Sequence, residues 1–364
     1  MAQSNRLVDL VQDRLDRFLD ARTSILASIA EEAGPLAAFS RQFLSGGKRF
    51  RALFCYWGYH GVRDEQRNVF GALEAVVGTA AALELFHAAA LVHDDIIDNS
   101  DTRRGAPSAH RRFQAVHDDG RFAGDPARFG SGAALLLGDL LLGFSDELLD
   151  EALEQVSPER ARATRKAFNT MRTEVIAGQY LDILEESAWN VASEEELLDR
   201  AQRVIVYKSA KYSVQAPLVI GATLAGATTG QLATLREFGL PLGIAYQLRD
   251  DLLGVFGDAG LTGKPSGDDL REGKRTVLIA LARRRLPNSA RRVLDELLGD
   301  RSLSDEQVRM LQRSITEAGA VDDVERLIDR NVERANAALD ESSLNEDAVG
   351  QLRALTRSVT ERVA

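Results

Sequence analysis

Asp94-Asp95-Ile96-Ile97-Asp98 and Gln247-Leu248-Arg249-Asp250-Asp251 each stand at the end of a long, largely apolar run whose side chains repeat at helical spacing. On a helix, Asp94 and Asp98 lie one turn apart on one face, their Cβ atoms roughly 6 Å from each other. Carboxylates that close repel unless something positive lies between them. Gln247, Asp250 and Asp251 share a face by the same spacing. Hard oxygen ligands without a His or Cys cluster favour Mg²⁺, which takes one or two carboxylates and completes its shell with water and substrate phosphates. The pattern points to phosphate chemistry.

Around these motifs the chain reads as all-α. Apolar residues recur every three or four positions in nearly every segment, and strict alternation over a strand's length is rare. Helix starts are legible at Ser157-Pro158, in the capping box Ser193-Glu194-Glu195-Glu196 and at Ser304-Asp305-Glu306-Gln307. About a dozen helices are expected in a single domain over 1–364, with central helices near 66–98 and 231–255. Residues 99–132 and 257–275 break the pattern, each following an acid cluster, and the second carries Lys264, Lys274 and Arg275 among five glycines. They read either as lids over phosphates or as plain surface connections.

Composition excludes several classes of function. With 364 residues, 45% of them hydrophobic and 27% charged, the chain is expected to be globular. A net charge of −10 argues against nucleic acid or an anionic membrane as the main partner. Tyr212 to Leu235 carries no charge over 24 positions, long enough for a membrane span, but its threonines, glutamines and three glycines lower its hydrophobicity. Gly226 to Gly230 reads instead as a turn between two buried helices, so no transmembrane segment is expected. The amphipathic N-terminus lacks a signal-peptide pattern, and the lone Cys55, set among Phe54, Tyr56 and Trp57, reads as a buried thiol. A cytoplasmic, reducing location is expected.

Gly46 to Arg51 (GGKRFR), His93 to Pro107 (HDDIIDNSDTRRGAP), Gly178 to Asp182 (GQYLD), Tyr207 to Ser213 (YKSAKYS) and Gln247 to Thr276 (QLRDD, then GD, TGKPSGDD and GKRT) follow one another in a fixed order. In that order they resemble the trans-isoprenyl diphosphate synthases, also called polyprenyl synthetases. The resemblance implies an isoprenoid synthase fold, a helical bundle around a deep central cavity. It implies head-to-tail condensation of an allylic diphosphate with isopentenyl diphosphate, in a homodimer. By resemblance, Asp94 and Asp98 would hold two Mg²⁺ and Asp250 a third, about three ions per site, with Asp95 and Asp251 in support. Arg103, Lys208 and Lys264, with Lys274 more distant, would meet the allylic diphosphate. Lys48, Arg51, Arg104 and His87 would hold isopentenyl diphosphate, and Gln247, the Lys208 carbonyl and Ser209 would shield the carbocation. Asp182 would orient metal-bound water or Lys208.

Two positions depart from the family pattern. Gly254 stands where a third Asp is common, and Ser209 where Thr is usual. Asp250 is the expected direct ligand, so the first loss falls on a supporting position. Product length is read from the helix behind Asp94: Ala89 and Ala90 are small, and Phe86 lies about two turns deeper. Each buried CH₂ of a growing tail gains ~0.8 kcal/mol until an aromatic blocks it. In the family that the chain resembles, bulky residues at the first level stop growth at fifteen carbons, so a floor one turn lower implies geranylgeranyl diphosphate, with farnesyl or longer products as the alternatives.

Other classes fit less well. A His-Asp phosphohydrolase needs several converging histidines, and the spacing of the five here gives no support. A terpene cyclase would lack the basic isopentenyl diphosphate pocket and the second acid motif. A non-catalytic partner subunit would normally lack one acid motif, and this chain keeps both. The bland readings are a packing role for His93, ordinary core for Phe86, exposed helix cations for Lys48 and Arg51, and structural roles for Lys211 and Arg249.

Overall fold

Among the residues described by the computed structural model (2–62, 72–103, 105–258 and 265–360), there are sixteen α-helices, one π-helix, two short 3₁₀ turns and one small hairpin. The first part of the chain forms α1 (Ala2–Ile29), α2 (Gly34–Phe43), α3 (Phe50–Val62) and α4 (Ala72–Ile97). A hairpin of β1 (Thr102–Arg103) and β2 (Ala106–Pro107) leads to α5 (Ala109–Asp119), α6 (Pro126–Leu153) and α7 (Pro158–Ala188). Next come α8 (Glu194–Val204), the π-helix (Ile205–Gln215), α9 (Ala216–Ala225) and α10 (Thr229–Phe256). The chain continues through α11 (Asp268–Glu272), α12 (Val277–Arg285), α13 (Asn288–Leu297), α14 (Asp305–Glu317), α15 (Ala320–Ala338) and α16 (Glu346–Thr360).

Helices outnumber the expected dozen because short ones carry little periodic signal. Residues 99–132, read as irregular, contain all of α5 and the start of α6. In α5 the buried side chains are Ala109, His110, Phe113 and His117, a helical spacing masked by the two histidines. The start of α6 is a cap: the Ala127 N–H donates 2.9 Å to Asp125 Oδ1, and Pro126 fills the first turn, where no N–H is needed. The capping boxes at Ser193 and Ser304 are present, and a third joins Thr228 to Gln231.

Two compact units make up the chain: residues 1–164 with 220–226, and residues 165–219 with 227–364. The first is organised around α4. From Ala75 to Phe86 every residue of that helix is buried, the mark of a helix walled on all sides. It is the one helix among the described residues long and apolar enough to cross a membrane. Small residues let α6 approach it closely: Gly78 abuts Ala152, and the Ser145 hydroxyl donates 2.8 Å to the Ala82 carbonyl. Cys55 is fully buried on α3, and loss of solvation pushes its thiol pKa well up.

The second unit is organised around α10. Its Leu248, Leu252 and Val255 share one core with Leu278 of α12, Leu311 of α14, and Val324 and Ile328 of α15. Arg249 serves this packing, donating from both terminal nitrogens at 2.6 Å to the Glu325 carboxylate and from Nε at 3.0 Å to the Thr360 carbonyl. The C-terminal third is thereby tied to the helix that bears the second acid motif. Tyr212 to Leu235 is broken by a turn at Gly226 (φ +86°), as its sequence predicts.

The π-helix covers the YKSAKYS motif and has no counterpart in the sequence reading. Wider turns of this kind are uncommon and cluster at functional sites. Glycines let two neighbouring helices touch its backbone. A Cβ on Gly178 of α7 would fall 2.3 Å from the Lys208 nitrogen, and one on Gly243 of α10 would fall 2.4 Å from the Ala210 carbonyl oxygen.

Candidate active site

Helix α4 ends directly behind the first acid motif. Asn99 takes a left-handed backbone (φ +49°), its N–H donates 3.3 Å to the Ile96 carbonyl, and the Ser100 N–H donates 2.9 Å to the Asp95 carbonyl. This is a Schellman closure, which satisfies the last carbonyls of the helix. Asp94 and Asp95 therefore sit in the last turn, with Asp98 just beyond it, where the helix dipole already carries partial negative charge. Carboxylates there raise the local demand for a cation.

The acids are not equivalent. Asp94 and Asp98 are half-buried, while Asp95 is fully buried. Arg103 donates to Asp95 Oδ1 through Nε at 2.9 Å and through a shorter bond from its NH2 group. The same NH2 group stands 3.8 Å from Asp94 Oδ2. Asp95 thus orients a guanidinium beside Asp94. The hairpin pairs Arg103 with Ala106 and Thr102 with Pro107, which fixes where that guanidinium starts. Arg104 and Lys264 lie outside the described residues.

The GGKRFR segment is shaped by three residues with left-handed backbone: Gly46 (φ +68°), Gly47 (φ +88°) and, after Lys48, Arg49 (φ +50°). Arg49 points inward. It donates 3.1 Å to Glu84 Oε2, 2.7 Å to Gln12 Oε1, and through a shorter bond to the Leu44 carbonyl. Glu84 Oε1 accepts from the Ala52 N–H at 3.2 Å, in the first turn of α3. Lys48 is left exposed and Arg51 half-buried at the start of that helix. Arg49 and Glu84 were missed from sequence. A signal existed, since Glu84 is the one Asp, Glu, Lys or Arg between Glu74 and Asp94.

On the same helix His87 is half-buried, and Phe86 and Ala89 are buried with Ala90 less so. His93 has a packing position: its Nε2 lies 3.3 Å from the Leu135 carbonyl and 3.5 Å from Asp139 Oδ1, with its ring against Gly138.

In the second unit, Lys208 pairs through a short contact with Asp182 of α7. Ser209 donates from Oγ to Gln247 Oε1, and Gln247 Nε2 donates 2.7 Å to Asp251 Oδ1. The π-helix and α10 are thus joined by one polar chain that ends on a carboxylate. Asp250 is exposed and its neighbour Asp251 buried. Burial, then the nearby charges of Asp269 and Asp250, push the Asp251 pKa up to about 8 against the hydrogen bond from Gln247. Lys274 stands 2.8 Å from Glu272 and 3.5 Å from Asp269. Lys211 pairs with Glu174 and lies over the Tyr207 ring, a structural position.

The chain is similar to known proteins over most of its length. The profile described as Polyprenyl synthetase covers residues 35–315. A crystal structure of geranylgeranyl pyrophosphate synthase from Corynebacterium glutamicum, complexed with isoprenyl diphosphate and magnesium, is 41% identical, covers 98% of this chain and 99% of that one, and superposes with a TM-score of 0.92. A geranylgeranyl diphosphate synthase of Sulfolobus acidocaldarius is 32% identical over 269 residues, 73% of this chain and 72% of its own. A geranylfarnesyl diphosphate synthase of Aeropyrum pernix is 32% identical over 266 residues, 72% of this chain and 73% of its own. The fold is therefore the all-α isoprenoid synthase fold. Since the matched span holds both acid motifs, the GGKRFR loop and the π-helix, the chain belongs to the polyprenyl synthetase family.

Proposed function

We propose that this trans-prenyltransferase makes all-trans geranylgeranyl diphosphate by condensing isopentenyl diphosphate with an allylic diphosphate. The observation that carries the reading is the end of α4: Asp94 and Asp98 one turn apart at the negative end of a buried helix, with Arg103 held 3.8 Å from Asp94. Such a site suits an anion bridged by divalent cations. The donors fit Mg²⁺, because they are hard carboxylate oxygens of the kind that take Mg²⁺ one or two at a time, with water and substrate phosphates completing its shell. Asp94, Asp98 and Asp250 are the residues that would hold about three such ions. When bound, they would neutralise charge developing on the diphosphate leaving group.

In this reading the allylic C–O bond breaks with its electron pair going to the diphosphate. The double bond of isopentenyl diphosphate then forms the new C–C bond, and a proton is lost to the released diphosphate. Arg103, Lys208, Lys264 and Lys274 would bind the allylic diphosphate, and Lys48, Arg51, Arg104 and His87 the isopentenyl diphosphate, which is not ionised. Asp182 would hold Lys208 in place, as their ion pair suggests. The Ser209–Gln247–Asp251 chain would present fixed dipoles to the carbocation in place of water. Phe86, with Ala89 and Ala90 above it, would set the length of the product.

A homodimer acting in the cytoplasm belongs to the same reading. Exposed apolar side chains at helical spacing support assembly: Ile176, Tyr180 and Ile183 on α7, and Phe129 and Leu136 with Leu135 on α6. Incubating purified protein with labelled isopentenyl diphosphate, each allylic starter and Mg²⁺, then sizing the products, tests the function. A twenty-carbon diphosphate is expected. Diphosphate release without elongation, or no turnover, overturns the reading.

A further inference from the structure

Lys274 and Arg275 are neighbours in the GKRT segment between α11 and α12, yet their side chains go to different places. Lys274 stands beside the acids of α11, 2.8 Å from Glu272 and 3.5 Å from Asp269, and its charge acts on Asp251 of the second acid motif. Arg275 goes instead to Trp189, in the 3₁₀ turn directly after α7, with its guanidinium carbon 5.0 Å from the ring centre. Both ends of the segment are anchored. Thr276 caps α12, its hydroxyl accepting from the Ile279 N–H at 3.4 Å. Gly273 is left-handed (φ +81°) and close against the Gly299 backbone, where a Cβ would fall 2.9 Å from the Gly299 Cα.

The contact between Arg275 and Trp189 is more than packing. Arg275 Nε and Nη1 are buried and have no hydrogen-bond partner among the described residues, and loss of solvation holds the pKa below the usual arginine range. A buried guanidinium without acceptors is costly unless something else answers its charge. The face of an indole does so, being the strongest aromatic partner for a cation, and Asp295 and Glu186 add negative charge nearby. Arg283, 5.7 Å from the same ring, is held differently: it donates to the Asp295 carboxylate at 2.9 Å and 3.0 Å and stands 3.2 Å from Glu194. One cation at this ring is answered by carboxylates, the other by the ring itself.

We propose that Trp189 is a positioning residue for the allylic diphosphate: by holding Arg275 it fixes the GKRT segment and so keeps Lys274 at the second acid motif. Helix α7 would then set two lysines of the site. Asp182 holds Lys208, and about two turns further on Trp189 holds the neighbour of Lys274.

The inference rests on the reading of Lys274 as a diphosphate contact, so the experiment includes Lys274→Met. Binding of inorganic diphosphate with Mg²⁺ is measured by titration calorimetry, KM for each substrate by turnover, and melting without ligand. Wild type is compared with Lys274→Met, Trp189→Leu, Trp189→Phe, Arg275→Met, Arg275→Lys and Arg283→Met. Trp189→Leu and Arg275→Met are expected to weaken diphosphate and raise KM for the allylic substrate by about tenfold, the scale of one desolvated cation–π contact, while KM for isopentenyl diphosphate is unchanged. Trp189→Phe and Arg275→Lys, which keep a ring and a cation, are expected to recover most of the loss. Arg283→Met, which leaves Arg275 on the ring, is expected to lower the melting temperature and not the diphosphate affinity. If Lys274→Met weakens diphosphate while Arg275→Met does not, the role of Trp189 is overturned and the reading of Lys274 stands. If Lys274→Met binds diphosphate as wild type does, both fall. If Trp189→Leu and Arg275→Met lose melting temperature without losing diphosphate, or raise both KM values equally, the ring is ordinary core and the proposal fails.

Discussion

Arg49 and Glu84 face each other at 3.1 Å with only 4% and 5% of their side chains exposed. One end of the pair shapes the GGKRFR loop, and the other sits on α4 ten residues before Asp94, roughly 15 Å along the axis. Removing one partner of such a pair leaves a buried charge uncompensated. Glu84→Ala is expected to destabilise the protein by about 3–5 kcal/mol in urea denaturation. Glu84→Gln, which keeps the bond to Ala52 N–H, is expected to cost less and to raise KM for isopentenyl diphosphate more than for the allylic partner. Equal changes in both constants would detach the pair from the loop's binding role.

Asp94 and Asp250 carry the chemistry in the proposed mechanism, whereas Asp95 acts through Arg103. Asp94→Asn and Asp250→Asn are each expected to lower kcat by about 10²–10³-fold, the usual scale for losing one preorganised electrostatic contact. Circular dichroism should be unchanged. Turnover within a few-fold of wild type in both variants would refute the assignment.

Metal dependence gives an independent reading. Chelation should abolish turnover, and Mg²⁺ should restore it. With diphosphate present, Mg²⁺ at about 100 times its dissociation constant should add about 2.7 kcal/mol to stability. A melting temperature indifferent to Mg²⁺ and diphosphate together would count against ligand-bridged cations.

Phe86 and Ala89 are both buried on the helix that bears Asp94. Phe86→Ala is expected to yield products longer than twenty carbons, and Ala89→Phe shorter ones, as resolved by chromatography of the dephosphorylated alcohols. Unchanged lengths in both variants would remove Phe86 as the floor.

Backbone contact at the π-helix predicts a steric cost. Gly243→Ala would place a methyl group 2.4 Å from the Ala210 carbonyl oxygen, and overpacking of this kind typically costs about 1–3 kcal/mol or more. A thermal midpoint equal to wild type would show that α10 and the π-helix can separate without loss.

Much of this molecule could be read from local chemistry. The periods of α4 and α10, the capping boxes at Ser193 and Ser304, the turn at Gly226 and the spacing of Asp94 from Asp98 all follow from the geometry of a single helix, whose rise and pitch are the same wherever it occurs. The burial of Cys55 also matched its apolar neighbours. Helix α5 escaped notice because His110 and His117 occupy buried positions that an apolar pattern would have marked.

Contacts between distant segments had no such local signature. Nothing in the order of residues announces that Arg49 turns inward to Glu84, that glycines at 178 and 243 receive a π-helix, or that the carboxylate of Asp269 fills the room left at Gly254. Helical spacing is set by backbone hydrogen bonds between near neighbours, so composition and order suffice to reveal it. Which buried polar group finds which partner depends on how whole helices pack, because each must be satisfied by whatever the folded chain brings within about 3 Å.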